Sequence, residues 1–128
     1  MTDSGVEVIG EVNDAVATGD PAAIAGRLHP DVVWEHNIGV GTPDEGVYRG
    51  RESVIALLER IVEAWESIRP EPHSIDRLDD GRYHVRGELV TKHRQSNMEI
   101  RTSYEQHLEV VDGEMVKGVM KTGEITLP

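Results

Sequence analysis

The 128 residues contain no cysteine, which excludes a disulfide framework and a thiolate metal centre. Phenylalanine is also absent and aromatic residues make up only 4%, so any core must be built from aliphatic side chains. No apolar run approaches the ~20 residues that a bilayer span requires. The first ten residues carry no basic stretch leading into an apolar one, and the cytoplasm is the expected compartment. Basic residues are scarce: 13 Lys and Arg stand against 24 Asp and Glu, a net charge of −11. A surface of that sign repels phosphates, which argues against nucleic acids and anionic membranes as partners. A glycine-rich phosphate loop, an HExxH zinc motif and a GxSxG nucleophile elbow are all missing. No cofactor and no metal is expected.

What is present suits one globular domain spanning residues 1–128, with 38% hydrophobic and 29% charged residues. Its organising stretch is Arg82–Thr122, where side-chain character alternates with the period of two that marks β-strands. Charge fixes how these strands pair. Setting Lys92 opposite Glu99 also sets Arg86 opposite Glu105 and Gly87 opposite Tyr104, with Gln95-Ser96 at the turn. A slip of one residue would oppose Lys92 to Arg101 and Glu88 to Glu105, and like charges directly opposite are unfavourable. Asp112-Gly113 is the second turn, with Glu109 against Lys117 and Glu105 against Lys121. One face of this meander is then charged. The other carries Val116, Gly118 and Met120 beside Tyr104, Gln106 and Leu108, and needs a cover.

The preceding chain supplies helices. Val6, Ile9, Val12 and Val16 have helical spacing up to Thr18-Gly19. Asp20-Pro21 reads as an N-cap and first helical position for a short helix over Ala22–Leu28, ended by His29-Pro30. Val32–Trp34 opens a strand reaching His36, and Asn37–Gly46 reads as a loop. A third helix over Arg51–Ile68 shows an apolar stripe of Val54, Leu57, Leu58, Ile61, Trp65 and Ile68, the expected cover for the meander. Pro70 and Pro72 end it, and His73–Leu78 forms a further strand before the Asp79-Asp80-Gly81 turn. The fold class is α+β.

In this order the chain resembles the SnoaL-like branch of the NTF2-like superfamily over nearly its whole length. The resemblance rests on Thr18-Gly19-Asp20 with Ala22-Ala23, on His29-Pro30-Asp31-Val32-Val33-Trp34, on Tyr48-Arg49-Gly50-Arg51-Glu52 and on Val111-Asp112-Gly113-Glu114. It implies a cone: three N-terminal helices packed in a strongly curved antiparallel or mixed β-sheet, with a pocket inside. It also implies a homodimer through the outer sheet face, where Val90, Val111 and Val119 lie among the charges. The fold hosts several chemistries, so function has to be argued from side chains.

His36 shares parity with Trp34, and the first strand borders the cavity in this fold. That makes His36 the candidate general acid/base, titrating near neutrality. Tyr104 is the second catalytic candidate, placed to orient or stabilise an enolate-like oxygen. Trp34, Tyr48, Gln106 and Met120 are the candidate substrate-binding residues. Each has a structural alternative: Trp34 as core, Tyr48 as packing, Tyr104 filling a gap left by Gly87, and Gln106 bonded to backbone. No Asp or Glu falls on the inward positions, which weakens the case for an enzyme. His84 and His107 pair on the outer face, where metal binding would need a converging carboxylate. The expected function is a pocket for a small hydrophobic or polyketide-like molecule, with cofactor-independent isomerase, cyclase or lyase chemistry as its catalytic form. The alternative is a non-catalytic ligand-binding or dimeric interaction domain.

Overall fold

The computed structural model describes residues 4–37, 44–79 and 81–126. Most of the loop expected over Asn37–Gly46 and the centre of the Asp79-Asp80-Gly81 turn therefore lie outside the described residues. In chain order the elements are α1 (Ser4–Thr18), a 3-10 segment (Pro21–Arg27), β1 (Leu28–Asn37), β2 (Gly46–Arg49), α2 (Arg51–Ala64), β3 (Ser67–Asp79), β4 (Arg82–Lys92), β5 (Glu99–Val111) and β6 (Glu114–Thr126). The strands form one curved, unclosed mixed sheet in the order β2-β1-β6-β5-β4-β3, in which β1 and β6 run parallel. Among the described residues no helix is long and apolar enough to cross a membrane.

The charge pattern sets the meander's register as expected. Lys92 faces Glu99, Arg86 faces Glu105 and Gly87 faces Tyr104. Glu105 faces Lys121 and Glu109 faces Lys117. The first turn is wider than Gln95-Ser96 alone. The His93 N–H donates to the Met98 carbonyl at 2.9 Å, and the His93 Nδ1 accepts from the Gln95 and Ser96 amides at 3.3 and 3.4 Å. At the second turn Asp112 (φ 51°) and Gly113 (φ 78°) are both left-handed, the geometry that matches strand twist in a two-residue hairpin. A register shift between Glu109 and Val110 then brings Met115 opposite Val110 and buries it to 2% exposure. Val116, expected inside, is only half-buried because this bulge consumes one residue of the alternation.

Helix boundaries depart further from the pattern. α2 stops at Ala64 instead of Ile68, and Trp65 is already extended. β3 starts at Ser67 and runs through Pro70 and Pro72, which a strand tolerates when it lies at a sheet edge, as β3 does. Ile68 is still buried, but as a strand residue. The cover of the meander changes with it. α1 packs against β3, β5 and β6, whereas α2 packs against β1, β2 and the 3-10 segment. Contact between α1 and the sheet is close enough that a Cβ on Gly5 would fall 2.2 Å from the Tyr83 ring. Val8 and Ile9 point into the core and Val6 points out. The Asp20 side chain makes no capping bond; its carbonyl accepts from the Ala23 N–H at 3.1 Å instead. The second helix is a 3-10 segment, and β1 begins at Leu28, running through His29-Pro30 with a register shift before Val33. On the outer face Val90 is 3% exposed. Its ladder partners are Arg69 and Arg101, and long arginine stems shield apolar neighbours.

Candidate functional site

Alternation along β1 sends Val32, Trp34 and His36 to the inner face, where they are 0%, 5% and 4% exposed. The parallel neighbour β6 sets Gly118 beside Trp34 and Met120 beside His36. Glycine is required there, since a Cβ on Gly118 would lie 2.3 Å from the indole ring. Room for Trp34 is thus made by the adjacent strand.

The Trp34 Nε1–H donates to His36 Nδ1 at 3.0 Å. Indole is only a donor, so Nδ1 must be the unprotonated nitrogen and the neutral ring carries its proton on Nε2. Burial pushes the His36 pKa down to about 4, with the charge of Asp44 acting weakly in the other direction. The expected titration near neutrality is therefore corrected. A buried imidazole loses the water that would stabilise its cation. At pH 7 His36 is a neutral hydrogen-bond donor.

β2 places Tyr48 directly opposite Trp34. The Tyr48 hydroxyl donates to the Asp44 backbone oxygen at 2.8 Å, and the Arg60 guanidinium lies 5.7 Å from the Tyr48 ring centroid. Arg60 Nε also reaches Asp44 Oδ1 at 3.3 Å, joining α2 to the segment before β2. Asp44 is a residue that the sequence pattern did not single out. It sits in a Pro43-Asp44-Glu45-Gly46 stretch that reads as a turn, and alternation says nothing about where a turn residue's charge acts.

β5 contributes Tyr104 and Gln106. Tyr104 is 3% exposed, and its hydroxyl is buried without a hydrogen-bond partner. Desolvation raises its pKa to about 12, so the phenol stays protonated. Gly87, opposite Tyr104, has a second reason to be glycine. A Cβ at Gly87 would stand 2.3 Å from the Glu71 oxygen and 2.8 Å from the Pro72 Cα, so glycine serves the close approach of β3. Half-buried Gln106 extends its Nε2 to Met120 Sδ at 3.8 Å, a weak acceptor.

The six candidates fall in neighbouring ladder rows of the inner face. His36, Met120 and Gln106 share one row, and Tyr48, Trp34 and Gly118 share the next. Tyr104 stands one pleat beyond Gln106, opposite Thr122, and also borders an open groove with Gly87, Ser103 and Gly123. His36 and Gln106 are separated by two strand spacings, about 9.6 Å along the sheet. Trp34, Tyr104 and Met120 are part of the packed core, with Tyr48 against it, and His36 is buried beside them.

Comparison with known proteins bears on the fold. Solved structures with a similar fold include a proposed isomerase from Rhodopseudomonas palustris, 13% identical with a TM-score of 0.79 over 95% of this chain and 91% of that one. Wild-type IdmH, a proposed polyketide cyclase from Streptomyces antibioticus, is 15% identical with a TM-score of 0.79 over 94% and 92% of the two chains. An NTF2-like protein of unknown function from Mesorhizobium loti is 20% identical with a TM-score of 0.72 over 97% and 98%. No curated protein matches in sequence. At these identities the likeness speaks for the fold. The model of the SnoaL-like domain matches residues 9–118, and by that match the chain belongs to the SnoaL-like domain family.

Proposed function

We propose that the chain binds a small, largely apolar, carbonyl-bearing molecule of polyketide-like character against the inner face of β1, β6 and β5. The observation that carries this reading is the buried Tyr104 hydroxyl without a protein partner, since a buried polar group without one is rare and costly. Trp34 and Met120 supply apolar contact, and Tyr48 closes the side toward β2. His36 Nε2–H, Tyr104 O–H and Gln106 Nε2–H are the groups that polarise the ligand's oxygen, as donors aimed at developing negative charge do. In the catalytic form the reaction is a cofactor-independent isomerisation or cyclisation through an enolate-like state. His36, with Nδ1 occupied by Trp34, donates rather than abstracts. Asp44, the carboxylate whose charge acts on His36, is the proton acceptor this reading needs. The second reading, a binding protein without turnover, is favoured by the ion pair that already engages Asp44 with Arg60. We also infer a cytoplasmic location and a two-fold pairing of chains through the outer sheet face.

Native mass spectrometry of the purified chain identifies a co-purified molecule, and its titration follows Trp34 fluorescence in a Trp65→Phe background. Binding that quenches Trp34 and weakens at least tenfold in Tyr104→Phe supports the pocket; binding indifferent to Tyr104 removes it. Asp44→Asn then separates the two readings. Retained binding with lost turnover establishes catalysis, whereas a wild-type chain that returns its ligand unchanged establishes binding alone.

A further inference from the structure

We propose that His84, Glu105 and His107 form a binding site for a divalent first-row transition ion, with zinc as the ion their ligand set suits best. The site lies on the outer sheet face, separate from the inner group and independent of the reading given to it. The register that places Arg86 opposite Glu105 also places His84 directly opposite His107. Their rings stack with centroids 4.5 Å apart and planes 14° from parallel. Glu105, two residues before His107 and on the same face, brings Oε2 to 2.8 Å from His84 Nε2. One ligand atom from each of the three residues falls within 4.8 Å of the others. The outer histidine pair lacked a converging carboxylate in the sequence, and the fold provides one.

Two imidazoles and one carboxylate form a recognised zinc set that leaves a fourth position to water. Imidazole nitrogen favours zinc and its neighbours over calcium or magnesium, which prefer oxygen. Ligand atoms about 2.1 Å from a tetrahedral ion stand about 3.4 Å apart. Closing from the present spacing asks for side-chain rotation by His107 and Glu105, both exposed, while His84 is held more firmly at 13% side-chain exposure. The ion would replace the proton that links His84 to Glu105. Glu105 is flanked by Arg86 and Lys121 in the ladder, yet its carboxylate turns to His84. Asp76 is the ladder neighbour of His84 on β3, so a further carboxylate lies on the adjacent strand.

The test is a calorimetric titration of the intact chain with Zn²⁺ in a non-chelating buffer, repeated with Co²⁺ to follow its visible absorption. The expected result is one ion per chain, with a Co²⁺ spectrum of tetrahedral type. His107→Ala, an exposed position whose loss leaves the core untouched, should weaken binding at least tenfold, and Glu105→Gln should do likewise. The double variant His84→Gln/His107→Ala should abolish it. His73→Ala and His93→Ala, which alter histidines elsewhere on the surface, should leave it unchanged, with circular dichroism confirming the fold of each variant. Absence of binding by the wild-type chain at millimolar Zn²⁺ would overturn the proposal. So would equal affinity in the double variant, or a loss caused by His73→Ala or His93→Ala alone.

Discussion

At the scale of single residues, one hydrogen bond decides what His36 can do. The indole proton of Trp34 occupies Nδ1, and burial holds the imidazole neutral. The folded chain therefore binds a proton at His36 more weakly than the unfolded chain does. The resulting stability is fully present above about pH 6.5 and is lost as pH falls toward about 4, by up to roughly 3 kcal/mol. His36→Gln, whose amide oxygen can still accept from Trp34, should lessen the difference between urea unfolding free energies at pH 7 and pH 4.5. An unchanged difference would mean that His36 does not carry this acid sensitivity. Tyr104 gives the complementary prediction. Its hydroxyl is desolvated without a partner, so Tyr104→Phe should leave stability unchanged or raise it by about 1 kcal/mol. A loss above 1 kcal/mol in thermal or urea unfolding would show that the hydroxyl is satisfied by bound water. Strand alternation was enough to turn both side chains inward, because parity is a local property. The Trp34–His36 bond and the reach of Asp44 depend on rotamers and on a turn, and neither leaves a periodic trace.

Among the elements, the strands of the meander were legible and the helix ends were not. Four opposed pairs, from Lys92–Glu99 to Glu109–Lys117, come from charge alone, since a slip of one residue sets like charges together. The end of α2 was obscured because Trp65 and Ile68 continue its apolar period into an extended segment. Ile68 is buried either way, so hydrophobicity could not separate the two conformations. Pro70 was the better signal, and it belongs to a strand. The edge position of β3 makes it vulnerable, for it pairs only with β4, as β2 at the other edge pairs only with β1. At Gly87, β3 and β4 approach too closely to leave room for a Cβ. Gly87→Ala should push β3 outward at Glu71-Pro72 and cost about 1–3 kcal/mol, the usual range for overpacking. Hydrogen exchange should then show faster opening in Ser67–Asp79 than in β5 or β6. Uniform protection in the variant would mean that the sheet absorbs the added methyl without releasing its edge.

Over the whole molecule, charge is divided unevenly, and the division bears on assembly. Residues 1–66 hold thirteen acidic and four basic residues, a net of −9, while residues 67–128 hold eleven and nine, a net of −2. The helices, β1 and β2 thus carry most of the repulsion, and the sheet from β3 onward is nearly neutral. Two copies can approach through the outer face of that sheet with the least electrostatic cost. Opposite charges there are already paired in ladders, Val119 is half-buried and Val111 is 53% exposed. Val90, closed off beside its arginines, contributes nothing to such a contact. A two-fold arrangement is the commonest closed assembly and makes the same patch serve both partners. Repulsion between the two acidic halves remains, and it is screened beyond about 10 Å at 0.1 M salt. The expected outcome is a dimer in light scattering at micromolar concentration, tightening as salt rises from 10 mM to 500 mM. Val119→Lys, which adds a cation without touching the inner face, should shift the distribution toward monomer while leaving Trp34 fluorescence as it was. A monomeric mass at every salt concentration would remove the dimer, and a dimer that loosens with salt would place the contact on charged pairs instead of the neutral sheet.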